Sequence, residues 1–70
     1  MKLSELEIEL VDLLCNTPVT DQDLVAIVLA LNQPQMQIEM IEWLKNNKNV
    51  TVSDILGTTM YIRLRNQRDH

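Results

Sequence analysis

The sequence predicts an all-α fold, a small orthogonal four-helix bundle in a single domain over residues 1–70. The chain is only 70 residues long and contains one Gly and two Pro. A β-sandwich or a β-barrel needs many tight turns, and this chain has few of the Gly and Pro residues that form them. A helix-capping pattern also occurs four times, and an apolar segment follows each occurrence. Together these observations favour four short helices around one core.

The capping pattern places an apolar residue before Ser, Thr or Asn, with an acid or Gln three positions after the cap. The cap oxygen accepts a backbone N–H that the first helical turn leaves unpaired, and the later side chain reaches back to the cap. The four pairs are Ser4 with Glu7, Thr20 with Asp23, Asn32 with Gln35, and Thr51 with Asp54.

The spacing of apolar residues predicts where the helices lie. The predicted helices cover residues 5–15, 21–31, 33–46 and 52–65. Because about one residue, Asn32, separates the second and third helices, we expect a tight helix-turn-helix corner there.

The fourth helix has an alternative. Gly57 interrupts it, and residues 58–65 alternate between apolar and polar side chains as a strand would. Such a strand would need a partner from a second copy of the chain, so we favour the helix. Residues 66–70 are expected to fray at the chain terminus.

The predicted helices carry more apolar surface than a chain of this size can bury. Residues 24–31 are apolar on every side, and a helix of that kind must be covered all round. One cysteine cannot form an internal disulfide, and we expect Cys15 to be a small core side chain. The hypothesis that follows is a non-catalytic protein–protein interaction or regulatory module, which binds a protein partner or itself as a homo-oligomer. The candidate interface residues are Val25, Val28, Leu29, Ile38, Ile41 and Trp43.

The alternative hypothesis is a dimeric helix-turn-helix DNA-binding protein, since Gln and Arg side chains can contact bases and phosphates. Its candidate contacts are Gln33, Gln35, Gln37, Arg63, Arg65 and Arg68. The charge distribution makes nucleic acid the less favoured partner. Residues 1–42 carry a net charge of −7 and residues 43–70 carry +3, which gives −4 for the whole chain.

The sequence offers no constellation for catalysis, for a cofactor, for a metal ion or for a small-molecule substrate. It contains one His and one Cys, and the carboxylates fall on helix faces that we expect to be solvated. We therefore expect no enzymatic activity. The longest apolar run has eight residues, far short of the ~20 that a membrane span needs. The acidic start lacks the apolar run of a signal peptide, so we expect an acidic cytoplasmic protein.

Three segments resemble small uncharacterised helical proteins of bacterial chromosomes and mobile elements. These segments are Ala30–Gln33, Met40–Lys45 and Thr51–Leu56, within residues 20–56. The resemblance implies a helical fold and implies no activity, because such proteins have no assigned catalytic residues.

Overall fold

The fold is an all-α four-helix bundle, as predicted. The structure is a computed structural model that describes residues 2–68, and this part of the chain contains helices and no strand. The helices are α1 (Glu5–Leu14), α2 (Asp21–Ala30), α3 (Pro34–Asn46) and α4 (Val52–Arg68). The strand alternative for residues 58–65 is therefore wrong. The helix continues to Arg68, three residues past its expected end, while residues 69 and 70 of the segment expected to fray lie outside the described part.

Three of the four predicted capping boxes are present. At the start of α1, the backbone N–H of Glu7 donates to Ser4 Oγ at 3.1 Å, and the Ser4 N–H donates to Glu7 Oε1 at 2.9 Å. Thr20 and Asp23 exchange the same two bonds at the start of α2. Thr51 and Asp54 do so at the start of α4, over 3.1 and 3.0 Å. These bonds satisfy backbone donors that the first turn cannot satisfy internally.

The predicted cap at Asn32 is wrong. Gln33 occupies the N-cap position of α3, and its side chain makes no capping hydrogen bond. The physical reason is Pro34, which takes the first helical position, where its missing N–H has no cost. The residue before a proline is restricted to extended backbone, and Gln33 has φ −126° and ψ 144°. The proline therefore fixes the cap one residue later than the sequence pattern indicated.

The corner between α2 and α3 consists of residues 31–33 and is held from inside the bundle. Leu31 is fully buried, so its carbonyl cannot bond to water. The amide of Gln37, which is only 5% exposed, donates from Nε2 to the Leu31 oxygen over 2.8 Å. A side chain of α3 thus completes the hydrogen bonding of the turn that precedes it.

The connection from α3 to α4 uses asparagines. The side chains of Asn46 and Asn47 donate to the carbonyls of Glu42 and Trp43 near the C-terminal end of α3. Asn49 has φ 60°, a left-handed conformation that Asn tolerates better than most residues. This turn directs α4 back across the bundle.

The helices pack in a closed ring. α1 and α4 each pack against both α2 and α3, whereas α1 does not pack against α4, nor α2 against α3, within residues 2–68. The buried apolar core comprises Leu10, Leu14, Ile27, Leu31, Met36, Met40, Ile41, Leu44, Ile55 and Ile62. Cys15 was expected in this core and is instead exposed, because α1 ends at Leu14 and Cys15 follows as its C-cap.

The buried bond of Gln37 can be tested with a matched pair of substitutions. Gln37→Leu leaves the buried Leu31 carbonyl without a partner, and we expect it to lower the free energy of unfolding by about 1–3 kcal/mol. Gln35→Leu makes the same chemical change at an exposed position of α3 and should shift stability by no more than about 0.5 kcal/mol. Urea unfolding followed by circular dichroism measures both, and equal stability of the two variants would contradict this role of Gln37.

Candidate interaction surface

Among the described residues, α4 exposes more large hydrophobic side chains than any other helix. The helix buries Ile55, Thr59 and Ile62 against α2 and α3. On the opposite side it exposes Leu56 (37%), Met60 (59%), Tyr61 (63%) and Leu64 (54%). We call Leu56, Gly57, Met60, Tyr61 and Leu64 the α4 outer face. Residues three and four apart on a helix are neighbours, so these five positions form one continuous patch.

The outer face contains a glycine that the rest of the chain does not explain. Gly57 lies inside a helix, where Gly costs about 1 kcal/mol relative to Ala. A Cβ atom added at Gly57 would meet nothing within 4 Å, and its φ is not positive. Neither internal crowding nor a special backbone conformation therefore calls for glycine at this position.

Opposite charges stand at the two ends of the outer face. Asp54 lies in the first turn of α4, while Arg63, Arg65 and Arg68 lie towards its end. Each sign is placed where it complements the helix dipole, with acid at the N-terminus and base at the C-terminus. The face is therefore acidic at one end, apolar in the middle and basic at the other end.

One of these arginines is held within the molecule. Arg65 pairs through Nη2 with Glu39 Oε1 on α3, and its guanidinium lies 5.7 Å from the centre of the Tyr61 ring. The other oxygen of Glu39 accepts from Asn66 Nδ2 over 2.9 Å. Glu39, expected on a solvated face, is instead largely buried, with a side chain 16% exposed. This carboxylate fastens the end of α4 to α3, which explains why the helix extends past residue 65.

The interface residues predicted from the sequence are separated in the structure. Val25 and Leu29 are 55% and 66% exposed and lie one turn apart on α2. Ile38 is 38% exposed on α3, a helix that does not pack on α2. Val28 and Trp43 are half-buried against the core. Ile41, expected at the interface, belongs to the core at 5% exposure, because its side of α3 faces the other helices.

The apolar segment of residues 24–31 is not covered all round by its own chain. Ile27 and Leu31 point into the core, whereas Val25 and Leu29 remain exposed. Ile8 on α1 is also exposed, at 49%. These side chains are isolated or paired, and scattered exposed hydrophobic residues are normal on protein surfaces.

The candidate DNA contacts do not form one surface. Gln37 lies in the core, where its amide donates a hydrogen bond to the Leu31 carbonyl, so it cannot reach a base. Gln33 and Gln35 are exposed, and Gln33 lines a shallow depression with Arg63. Arg65 is paired with Glu39, and Arg68 is exposed at the end of α4. The exposed side of α3 also carries Glu42, whose charge would oppose a phosphate backbone.

The depressions on the surface offer little chemistry. One lies between the α1–α2 and α3–α4 loops and is lined by apolar and amide side chains with Lys48 as its charged member. Across residues 2–68, no three His, Cys, Asp or Glu side chains come together in a way that could hold a metal ion. In the same range, no helix has both the length and the apolar character needed to cross a membrane.

Comparison with protein-family models, with curated protein sequences and with solved structures finds no match for this chain.

The interface predicted from the sequence does not include the α4 outer face, although the sequence contains a signal for it. Gly57, Met60, Leu64 and Gln67 follow the alternating three- and four-residue spacing of a helix–helix seam. Ile55, Thr59 and Ile62 follow helical spacing on the other side of the same helix. The sequence therefore gives α4 two faces, and only the structure decides which one is buried.

The role of Glu39 gives a second prediction. Glu39→Ala removes the partner of both Arg65 and Asn66, and we expect the free energy of unfolding to fall by about 1 kcal/mol. The backbone amides of the last α4 turn, residues 66–68, should exchange with deuterium faster than in the native chain. Glu42→Ala is the control, since Glu42 is exposed on the same helix. Equal exchange at residues 66–68 in both variants would show that Glu39 does not fasten the end of α4.

Proposed function

We propose that this chain is a non-catalytic interaction module that associates through an apolar helix face, and that its first partner is a second copy of itself. The α4 outer face is the observation that carries this proposal. It presents three large apolar side chains above half exposure, Met60, Tyr61 and Leu64, within two helical turns. Exposed apolar side chains that adjoin one another on a protein surface are a common feature of protein–protein interaction sites.

The size of the chain supports the same proposal. A domain of about 70 residues buries a modest core and often gains stability by association. In this chain ten apolar side chains are buried, while nine large ones are exposed in the described residues. Covering part of the exposed set with another polypeptide removes apolar area from water, which is the main favourable term in association.

The alternative of a helix-turn-helix DNA-binding protein has less support. In that motif the two helices pack together and the second enters the major groove. Here α2 and α3 do not pack against each other within the described residues. Gln37 is buried and donates its hydrogen bond to the Leu31 carbonyl. α4 carries three basic side chains, whereas residues 1–42 carry eight carboxylates, which would repel a phosphate backbone.

Sedimentation velocity tests self-association, with protein concentrations from low micromolar to nearly millimolar at physiological salt. We expect the weight-average mass to rise from that of a monomer towards that of a dimer as concentration increases. A chain that remains monomeric over the whole range would contradict self-association. Apolar area dominates the proposed contact, so moderate added salt should change the association far less than it changes binding to a polyanion.

A gel shift on bulk double-stranded DNA at low salt separates the two functions. We expect no retained complex, because non-specific DNA binding depends on basic charge and this chain carries −4 overall. A complex that is lost steeply as salt increases would favour the DNA-binding alternative instead.

A further inference from the structure

We propose that two copies of this chain pair through α4 in antiparallel orientation, with the α4 outer faces in contact about a two-fold axis near Met60 and Tyr61. This proposal rests on the proposed function and specifies the face, the partner and the geometry.

The distribution of charge along α4 supports the antiparallel orientation. The helix has 17 residues and is therefore about 26 Å long. With the axis near Met60 and Tyr61, Asp54 of one copy lies level with Gln67 of the other, next to Arg68. The same pairing occurs at the opposite end, so two acid–base contacts form by symmetry. A parallel pair would instead place Asp54 beside Asp54 and Arg68 beside Arg68, with like charges opposed at both ends.

The outer face is also complementary to itself in shape. In the antiparallel register Leu64 of one copy lies level with Gly57 of the other. The space at Gly57 is open in the single chain, so a second helix can approach closely there. Shallow depressions border Leu64 on both sides, one lined by Tyr61 and Arg68 and the other by Met60 and Gln67. A two-fold interface requires one patch to be complementary to itself, and this face satisfies that condition.

The remaining charges are compatible with this pairing. Arg65 is held by Glu39 and lies against Tyr61, so it borders the face without a free charge at its centre. Arg63 lies on the other flank, where it lines a shallow depression with Met60 and Leu64, and its hydrocarbon stem can extend along these apolar side chains. The other exposed apolar pair, Val25 and Leu29 on α2, has acidic residues near one end but no basic residue on its helix. It therefore lacks the charge pattern for self-pairing.

Two matched substitutions locate the interface. Leu64→Lys places a charge inside the proposed contact, level with Gly57 of the other copy, and should raise the dimer dissociation constant about tenfold or more. Leu29→Lys makes the same change at an even more exposed leucine of α2, 66% against 54%, and should leave the constant unchanged. Circular dichroism of both variants checks that the monomer fold is retained. If Leu29→Lys abolishes association and Leu64→Lys does not, the α4 assignment is overturned while the proposed function stands. If the native chain does not self-associate at all, both fail.

Charge exchange tests the orientation. Arg68→Glu places an acid near Asp54 of the other copy at each end of the interface. The repulsion should raise the dissociation constant about three- to tenfold. Adding Ser53→Lys to the same chain keeps the Thr51–Asp54 capping box, places a base level with the substituted position 68 of the other copy and should return the constant towards its native value. A further loss of affinity in the double variant would contradict the antiparallel arrangement.

Disulfide trapping gives an independent readout, in a Cys15→Ser background that removes the native exposed thiol. Met60→Cys lies near the axis and should crosslink with itself under mild oxidation. Ser53→Cys and Gln67→Cys should each crosslink poorly alone and efficiently when mixed, because antiparallel pairing brings these two positions together. Efficient self-crosslinking of Ser53→Cys would show a parallel pair and overturn the proposal, as would the absence of crosslinks at all three positions.

Discussion

The ring packing of the four helices determines which side chains this molecule buries. α1 and α4 each contact both α2 and α3, and neither pair of diagonal helices packs together in the described chain. Each helix therefore has two neighbours on one side and water on the other. A helix with apolar residues around most of its circumference can bury only the inward part in such a ring. The exposed residues Leu29 on α2 and Leu64 on α4 follow directly from this arrangement.

The polar bonds that hold this ring lie at its corners and at the end of α4. Capping boxes fix where α1, α2 and α4 begin. The amide of Gln37 completes the turn into α3, and Glu39 holds the last turn of α4 through Arg65 and Asn66. The ion pair of Lys45 with Glu9 joins α1 to α3 over 2.8 Å, but both side chains are about half exposed. An exposed pair of this kind contributes little to stability.

Much of the fold could be predicted from the sequence because local signals determine it. The caps Ser4, Thr20 and Thr51 each act within one helical turn, and the spacing of apolar residues after them is sufficient to predict a helix. The predicted cap at Asn32 is wrong because Pro34 restricts the backbone of the residue before it, and this local rule prevails over the capping pattern. Cys15 was placed in the core by its apolar neighbours, although α1 ends one residue earlier.

The surface could be predicted only in part, because tertiary packing decides which of two apolar faces is buried. The sequence predicted an apolar excess, and the exposure of Val25 and Leu29 is consistent with that expectation. It could not show that Ile41 turns inward or that Gln37 is enclosed, since both depend on the direction in which α3 crosses the bundle. The outer face of α4 was missed for the same reason. Its apolar spacing, opposite end charges and central glycine have meaning only once Ile55 and Ile62 are known to face the core.

The most direct test of this account is a concentration series of methyl NMR spectra of the native chain. The account predicts that the methyl resonances of Leu56, Met60 and Leu64 shift progressively with concentration, while those of Val25, Leu29 and Ile8 stay unchanged. Spectra that do not depend on concentration, or shifts confined to α1 and α2, would contradict the claim that the α4 outer face is where this molecule binds its second copy.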